Sequence, residues 1–174
     1  MNRPDQTISR VDRYVPERSY GRSLPMLLMR SREAVMRRIR PHLRSHGLTD
    51  QQWRILRALA EEDRIELLEL SQRCMIQPPS LSRTVPALTE RGLVRREDHP
   101  TDRRRALISL TDEGRALFDQ VSLGSARIYQ QIRADIGEAK VDELYEMLIN
   151  LIDVLDATSE ASGDGEAGLP EDQA

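Results

Sequence analysis

The sequence predicts a mainly α-helical protein with one small β-hairpin and long helices at both ends. Three observations predict this fold class. Apolar residues recur at helical spacing over most of the chain, and glycines or prolines separate the periodic stretches. Two short segments, 93–98 and 105–110, flank a turn-rich connection, as in a β-hairpin. Near the C-terminus, apolar residues are spaced three and four apart, as on a helix that packs against another helix.

The first helix is predicted over 23–47, after an arm over 1–22 that shows no periodicity. The helix places several residues on one stripe at 3.6-residue spacing, namely Leu24, Leu28, Val35, Ile39 and His42. The arm contains prolines and scattered charges, so we expect it to be flexible. The apolar stripe predicts a helix that packs on another element.

The second helix is predicted to begin at Thr49, because Thr49 and Gln52 have the spacing of a capping box. It places Trp53 on an inward face and ends near Glu62. A short third helix is predicted from Leu67 to Cys74, with the apolar side inward.

The fourth helix is predicted to start at Pro78 and Pro79 and to run to about Arg91, before Gly92. Pro86 lies inside this helix and is expected to kink or tighten its second half. The two hairpin strands follow, so three short helices and a hairpin occupy 48–111. This order is typical of a winged helix-turn-helix DNA-binding domain, whose second helix of the pair enters the major groove.

Two more helices are predicted over 112–157. Thr111 caps the first of them, which runs to about Ile136 before Gly137. On the last helix the apolar seam consists of Val141, Leu144, Leu148, Leu151 and Leu155. The tail over 158–174 is acidic and glycine-containing, so we expect it to be disordered.

Charge is strongly sorted along the chain, although the net charge is only −3. Residues 1–47 contain eleven arginines and four acids, residues 48–111 eleven arginines and ten acids, and residues 112–174 four bases and fifteen acids. All basic residues except Lys140 are arginine, whose planar fork suits phosphates and guanine edges. The sorted charge is therefore compatible with a nucleic-acid partner.

Candidate DNA-binding residues lie on the fourth helix and at the tip of the hairpin. On the helix, Arg83 has the geometry to bond guanine O6 and N7, and shorter side chains suit phosphate or base-edge contacts. At the tip, arginines can enter a narrow minor groove, and Asp102 can hold one guanidinium in place before binding. The DNA-binding set is Pro79, Ser80, Ser82, Arg83, Arg103, Arg104 and Arg105.

Other function classes are not supported. The sequence contains no nucleophile with its base, no paired-carboxylate site, no phosphate-cradling glycine loop and no metal triad, so we expect neither an enzyme nor a cofactor. His42 and His46 have metal-ligand spacing but no third ligand, and the single Cys74 excludes an internal disulfide. No segment has the length of a membrane span or the composition of a secretory signal, so we expect a cytoplasmic protein without a membrane partner.

The predicted hairpin over 93–110 is the wing of the winged helix-turn-helix. The wing and the residues that follow it resemble those of MarR-type regulators. The resemblance is carried by Asp98-His99-Pro100-Thr101-Asp102-Arg103-Arg104 and by Leu110-Thr111-Asp112-Glu113-Gly114. The segments from Leu48 to Leu59 and from Pro79 to Arg83 are similar to the branch that controls breakdown of homoprotocatechuate and related aromatic acids.

The resemblance covers roughly residues 23–155 and implies a homodimer, joined by its first and last helices, on a pseudo-palindromic double-stranded DNA operator. It also implies that Arg104 is the minor-groove residue. It further implies repression that is relieved by a small aromatic acid or its CoA thioester.

The resemblance implies an effector pocket lined by the first, second and fifth helices. Candidate effector-binding residues are Ser31, Arg32, His42 and Trp53. Two alternatives remain open at this point. Arg32 can instead pair with an acid across the dimer while Trp53 is part of the core. The whole protein can also be a winged-helix dimer without an effector, acting by recruiting a partner protein.

Overall fold

The structure, a computed structural model, describes residues 23–98 and 105–163, with side chains described as far as residue 158. Within these residues the elements follow in the order α1 (Leu24–Ser45), α2 (Asp50–Glu61), β1 (Ile65–Glu66), α3 (Leu67–Arg73), α4 (Pro78–Glu90), β2 (Val94–Asp98), β3 (Ala106–Leu110), α5 (Asp112–Ile136) and α6 (Glu138–Gly163). The chain divides into two compact units after Ser125, so α5 contributes to both. The predicted fold class is confirmed.

The hairpin strands pair as predicted, and a third strand joins them. β2 and β3 are antiparallel, with Val94 opposite Leu110 and Asp98 opposite Ala106. β1 pairs with the other edge of β3, giving the strand order β1-β3-β2. The sequence did not predict β1, because two residues carry no measurable alternation and become a strand only by pairing with β3.

The core of the first unit lies between the helices and the inner face of this sheet. Its fully buried side chains include residues of six elements, namely Ile39, Leu43, Ile55, Leu56, Leu59, Ile65, Leu70, Leu81, Leu88 and Ile108. The alternation of β3 places Ile108 and Leu110 on the inner face with Val94. Helical and strand periodicity therefore converge on one apolar interior.

The predicted stripe of α1 is buried over only part of its length. Ile39 is buried, whereas Leu24 and Leu28 are 53% and 39% exposed. An apolar side chain left in water forgoes the free energy of burial, roughly 25 cal/mol per Å². The first turns of α1 therefore present an apolar surface that no other described residue of the chain covers.

Helix ends largely follow the predicted signals. The capping box of α2 is present, with the Gln52 amide donating to Thr49 Oγ1 at 3.2 Å and the Thr49 amide to Gln52 Oε1 at 3.0 Å. α4 continues past Pro86, whose missing N–H does not end the helix. α6 runs to Gly163, so the predicted boundary at 157 is too early. That boundary follows from the acidic, glycine-containing composition of the tail. The first residues of that segment include alanines, such as Ala161, which have a high helix propensity and so continue the helix.

The structure explains why threonine and glycine occur at positions 111 and 114, where β3 leads into α5. Thr111 Oγ1 accepts a hydrogen bond from the Gly114 amide at 3.0 Å and donates one to the Gly92 carbonyl at 2.6 Å. A Cβ on Gly114 would lie 1.9 Å from the carbonyl oxygen of Leu93, closer than any atom tolerates. Glycine thus lets α5 start directly against the segment that leads into β2.

None of the helices in the described part of the chain combines the length and the hydropathy that a membrane-spanning helix needs.

Candidate nucleic-acid interface

α4 has one buried face and one exposed face. Leu81, Val85 and Leu88 are buried against the core. The exposed side includes Pro79, Ser82 and Arg83, with Ser80 half-buried. Arg83 has no ion pair or hydrogen bond within the described residues, so its guanidinium is available to a ligand. The helix therefore has the amphipathic form that a groove-reading helix requires.

The turn that precedes α4 is held from α2. The guanidinium of Arg54 donates to the carbonyl oxygens of Cys74 at 2.5 Å and Met75 at 3.3 Å. Met75 has a φ of 50°, a left-handed conformation that costs free energy in a non-glycine residue. The buried hydroxyl of Ser71 donates to the Ile76 carbonyl at 2.6 Å. These bonds fix the turn and therefore also the start of α4, which is the candidate recognition helix.

The base of the wing is held by an ion pair between Arg105 and Glu66. Arg105 Nε donates to Glu66 Oε2 at 2.8 Å, and Arg105 Nη2 bonds the other carboxylate oxygen. The pair ties the strand β3 to β1, and Arg105 remains half-exposed. Asp102, Arg103 and Arg104 lie outside the described residues, so their predicted roles remain predictions.

A groove of about 510 Å³ lies between α3, the start of α4 and the wing. Its polar lining includes Glu66, Ser82, Arg96 and Arg105, and its apolar lining includes Leu68. Leu68 is 67% exposed although it is apolar. The groove thus combines exposed apolar surface with two guanidinium groups beside the recognition helix.

Two of the predicted effector residues face α5. The buried indole of Trp53 stacks on Phe118, with ring centroids 5.5 Å apart and an interplanar angle of 24°. His42 Nε2 donates to the Val121 carbonyl at 2.9 Å. Phe118 and Val121 lie one turn apart on α5, so the structure brings Trp53 and His42 to the same helix.

The other two predicted effector residues are not brought to this place. Ser31 and Arg32 are exposed on α1. Further along α1, Arg40 bonds both Glu33 and Asp50, which fixes α1 to the start of α2. The hydrogen bond from Arg40 lowers the pKa of the Glu33 carboxyl. Among the described residues, Arg32 forms no hydrogen bond or ion pair with Trp53 or His42.

Cys74 and the pair His42 and His46 are held by contacts within the protein. Burial raises the pKa of the Cys74 thiol, which keeps it in the less reactive protonated form. His42 uses Nε2 to bond the chain itself, and its ring lies edge-on to His46. No group of three or more metal-binding side chains occurs in the ranges that the structure describes.

Sequence reasoning missed three residues of these sites: Glu66, Arg96 and Phe118. Glu66 belongs to a strand that has no sequence signal. Phe118 could have been found from helical spacing on α5, since Gly114, Phe118 and Val121 share one side. Arg96 could have been found from strand alternation, because it has the same parity as Val94.

The fold and the exposed recognition helix define a winged helix-turn-helix DNA-binding protein. A family model described as "MarR family" matches residues 46–105. The homoprotocatechuate degradative operon repressor of Escherichia coli is 38% identical over 130 residues, which span 75% of this chain and 88% of the repressor. The chain belongs to the MarR family of transcriptional regulators, which are DNA-binding proteins and not enzymes.

Solved structures add a ligand complex and a DNA complex of similar proteins. NadR in complex with 4-hydroxyphenylacetate is 34% identical, with a TM-score of 0.67 over 78% of this chain and 96% of NadR. The repressor CouR bound to a 23-mer DNA duplex is 27% identical, with a TM-score of 0.69 over 75% of this chain and 92% of CouR. Regulators of this family bind DNA as dimers.

Proposed function

We propose that this protein is a transcriptional repressor of an operon for the breakdown of aromatic compounds, and that a small aromatic acid or its CoA thioester releases it from DNA. The observation that carries the DNA-binding part is the recognition helix with its exposed Arg83, which has no partner among the described residues. The similarity to the homoprotocatechuate repressor and to NadR with its aromatic acid supports the effector part.

The proposed DNA contacts follow the exposed surface of the winged unit. Arg83 reads a base in the major groove, and Pro79, Ser80 and Ser82 approach the edges of the bases or the backbone. Arg103 and Arg104 reach the minor groove, Asp102 orients them, and Arg105 belongs to the same DNA-facing side. Arg104 occupies the position at which the resemblance implies the minor-groove contact.

A homodimer would present two such units to a pseudo-palindromic operator. Helix α6 supports this part of the proposal, because it exposes seven large apolar residues over its length: Leu144, Tyr145, Met147, Ile149, Ile152, Val154 and Leu155. Exposed apolar residues in such number are typical of a surface that a second chain covers. The exposed start of α1, with Leu24 and Leu28, is a second apolar surface that another chain could cover.

The proposed effector site is built around Trp53 and its stacked neighbour Phe118. An aromatic ring can pack against such side chains, and His42 can bond an acid group if it releases the Val121 carbonyl. Ser31 and Arg32 remain proposed contributors through the assembled dimer. An anion needs a cation or hydrogen-bond donors when it is buried, which these two residues can supply.

Fluorescence anisotropy with the DNA upstream of the regulated operon tests the DNA-binding part. Arg83→Ala and Arg104→Ala should each weaken binding by about 1–3 kcal/mol for each subunit of the dimer, because each subunit loses one specific DNA contact. Arg127→Ala removes the same charge from an exposed position of α5 and serves as the control. Equal affinities for all three variants and the original protein would refute the assignment of these arginines.

Titration of the protein–DNA complex with 4-hydroxyphenylacetate and other aromatic acids, and with their CoA thioesters, tests the effector part. An aromatic ligand should dissociate the complex, and Trp53→Leu should raise the ligand concentration that is needed. An aliphatic acid of equal charge is the control and should leave the complex intact. If no aromatic ligand changes DNA affinity, the alternative of a winged-helix dimer that recruits a partner protein replaces this part.

A further inference from the structure

The wing strand β2 contains two adjacent arginines with opposite environments. Arg95 pairs with Ser109 across the sheet, where its Nε donates to Ser109 Oγ at 2.9 Å, and it lies 3.5 Å from Glu97. Arg96 pairs with the fully buried Ile108 and so lies on the inner face of the sheet. Yet Arg96 is exposed and has no ion pair or hydrogen bond among the described residues.

Arg96 points its charge into the groove described above. Arg105 also lines that groove, but Glu66 already balances its charge through two hydrogen bonds. Among the described residues that line the groove, Arg96 is therefore the guanidinium whose charge no carboxylate balances. Ser82, an exposed residue of the recognition helix, lines the same groove and adds a hydroxyl donor.

The start of α4 cannot itself bind a phosphate in the way that helix N-termini commonly do. A helix N-terminus binds anions through the free N–H groups of its first turn. Here Pro78 and Pro79 have no N–H, and the amides of Ser80 and Leu81 both donate to the Gln77 carbonyl, at 2.9 and 3.0 Å. A phosphate beside this end of the recognition helix therefore has to be bound by side chains.

We propose that Arg96, together with the Ser82 hydroxyl, binds a phosphate of the DNA backbone at this groove. The proposal rests on the DNA-binding part of the proposed function. A guanidinium presents its N–H groups as a fork that matches two phosphate oxygens. The contact positions the winged unit on the duplex and reads no base.

The test compares two variants that remove the same charge from neighbouring positions. Arg96→Gln and Arg95→Gln are each titrated with operator DNA and with an unrelated duplex over a series of salt concentrations. Each phosphate contact contributes about 0.9 to the slope of log K against log salt. A dimer that loses two contacts should show a slope smaller by about 2 and roughly thirtyfold weaker binding near 0.15 M salt, for both DNAs. Arg95→Gln should change neither quantity.

Arg96→Lys preserves the charge and should keep the original salt slope, which separates the electrostatic contact from an effect on folding. Thermal unfolding of the three variants checks that each is folded at the assay temperature. The proposal is overturned if Arg96→Gln behaves like Arg95→Gln. It is also overturned if Arg96→Gln weakens only operator binding and leaves the salt slope unchanged, since that result identifies a base contact. Failure of the proposed function would appear differently, as an original protein that does not prefer the operator to the unrelated duplex.

Discussion

Replacement of Gly124 by alanine tests the close approach of α1 and α5. A Cβ at this position would lie 2.2 Å from Cε1 and 2.5 Å from Nε2 of His42. The imidazole cannot remain in place, so its 2.9 Å hydrogen bond to the Val121 carbonyl must break. Overpacking costs about 1–3 kcal/mol, and loss of the hydrogen bond adds about 1 kcal/mol.

Alanine also has the higher helix propensity, which returns about 1 kcal/mol relative to glycine. The net expectation for Gly124→Ala is therefore a loss of about 1–3 kcal/mol in the free energy of unfolding. The measurement is urea unfolding followed by circular dichroism. Protein concentration is held fixed, because the stability of a dimer depends on it.

The same substitution can also be measured in a protein that already lacks the His42 imidazole. In a protein that already carries His42→Ala, the new methyl group meets no imidazole, so only the propensity gain remains. Gly124→Ala should then stabilise that protein by up to about 1 kcal/mol. The substitution thus changes sign between the two backgrounds, as coupled neighbours do in a double-mutant cycle. Equal destabilisation in both backgrounds, or stabilisation in both, would refute the packing of His42 against Gly124.

Three further outcomes are expected. Thr49→Ala should lower the free energy of unfolding by about 1 kcal/mol through loss of the capping box, whereas Thr49→Ser should not; equal stability of both variants would contradict the cap. The buried Cys74 thiol, whose pKa is raised, should react slowly with a thiol reagent in the native protein and rapidly in urea, so fast native labelling would contradict its burial. In an NMR titration, the pKa of Glu33 should lie below its ordinary value of 4.5 and should rise in Arg40→Gln. Because the pKa of Glu33 is lower in the folded state than in the unfolded state, the stability that this pair contributes should be present above pH 4.5 and should be lost as the pH falls through the folded-state pKa. A Glu33 titration that Arg40→Gln leaves unchanged would refute the pairing.

The order of elements was predictable because its signals are local. A capping box requires only Thr49 and Gln52, and the prolines at 78 and 79 mark the start of α4 without reference to the rest of the chain. The inward face of α4 followed from helical spacing. Strand β1 was not predictable, since its two residues become a strand only by pairing with β3.

The candidate site was predictable only in part. Arg83 and the hairpin arginines could be proposed as DNA contacts because residue type and place in the motif are readable from the chain, and the structure shows that Arg83 is exposed. Arg105 was grouped with them, and its ion pair with Glu66, 39 positions away, could not be anticipated. Trp53 was expected to face inward, while its stacking partner Phe118 comes from another helix.

By itself, the sequence determined the helices, their caps and the family resemblance, because these depend on spacing and on interactions between residues a few positions apart. The tertiary structure alone decided which charged groups are paired and which remain available. It paired Arg105 with Glu66 and left Arg96 and Arg83 without a partner among the described residues. The physical reason is that an ion pair requires two groups within about 4 Å, and only the folded chain brings distant residues that close.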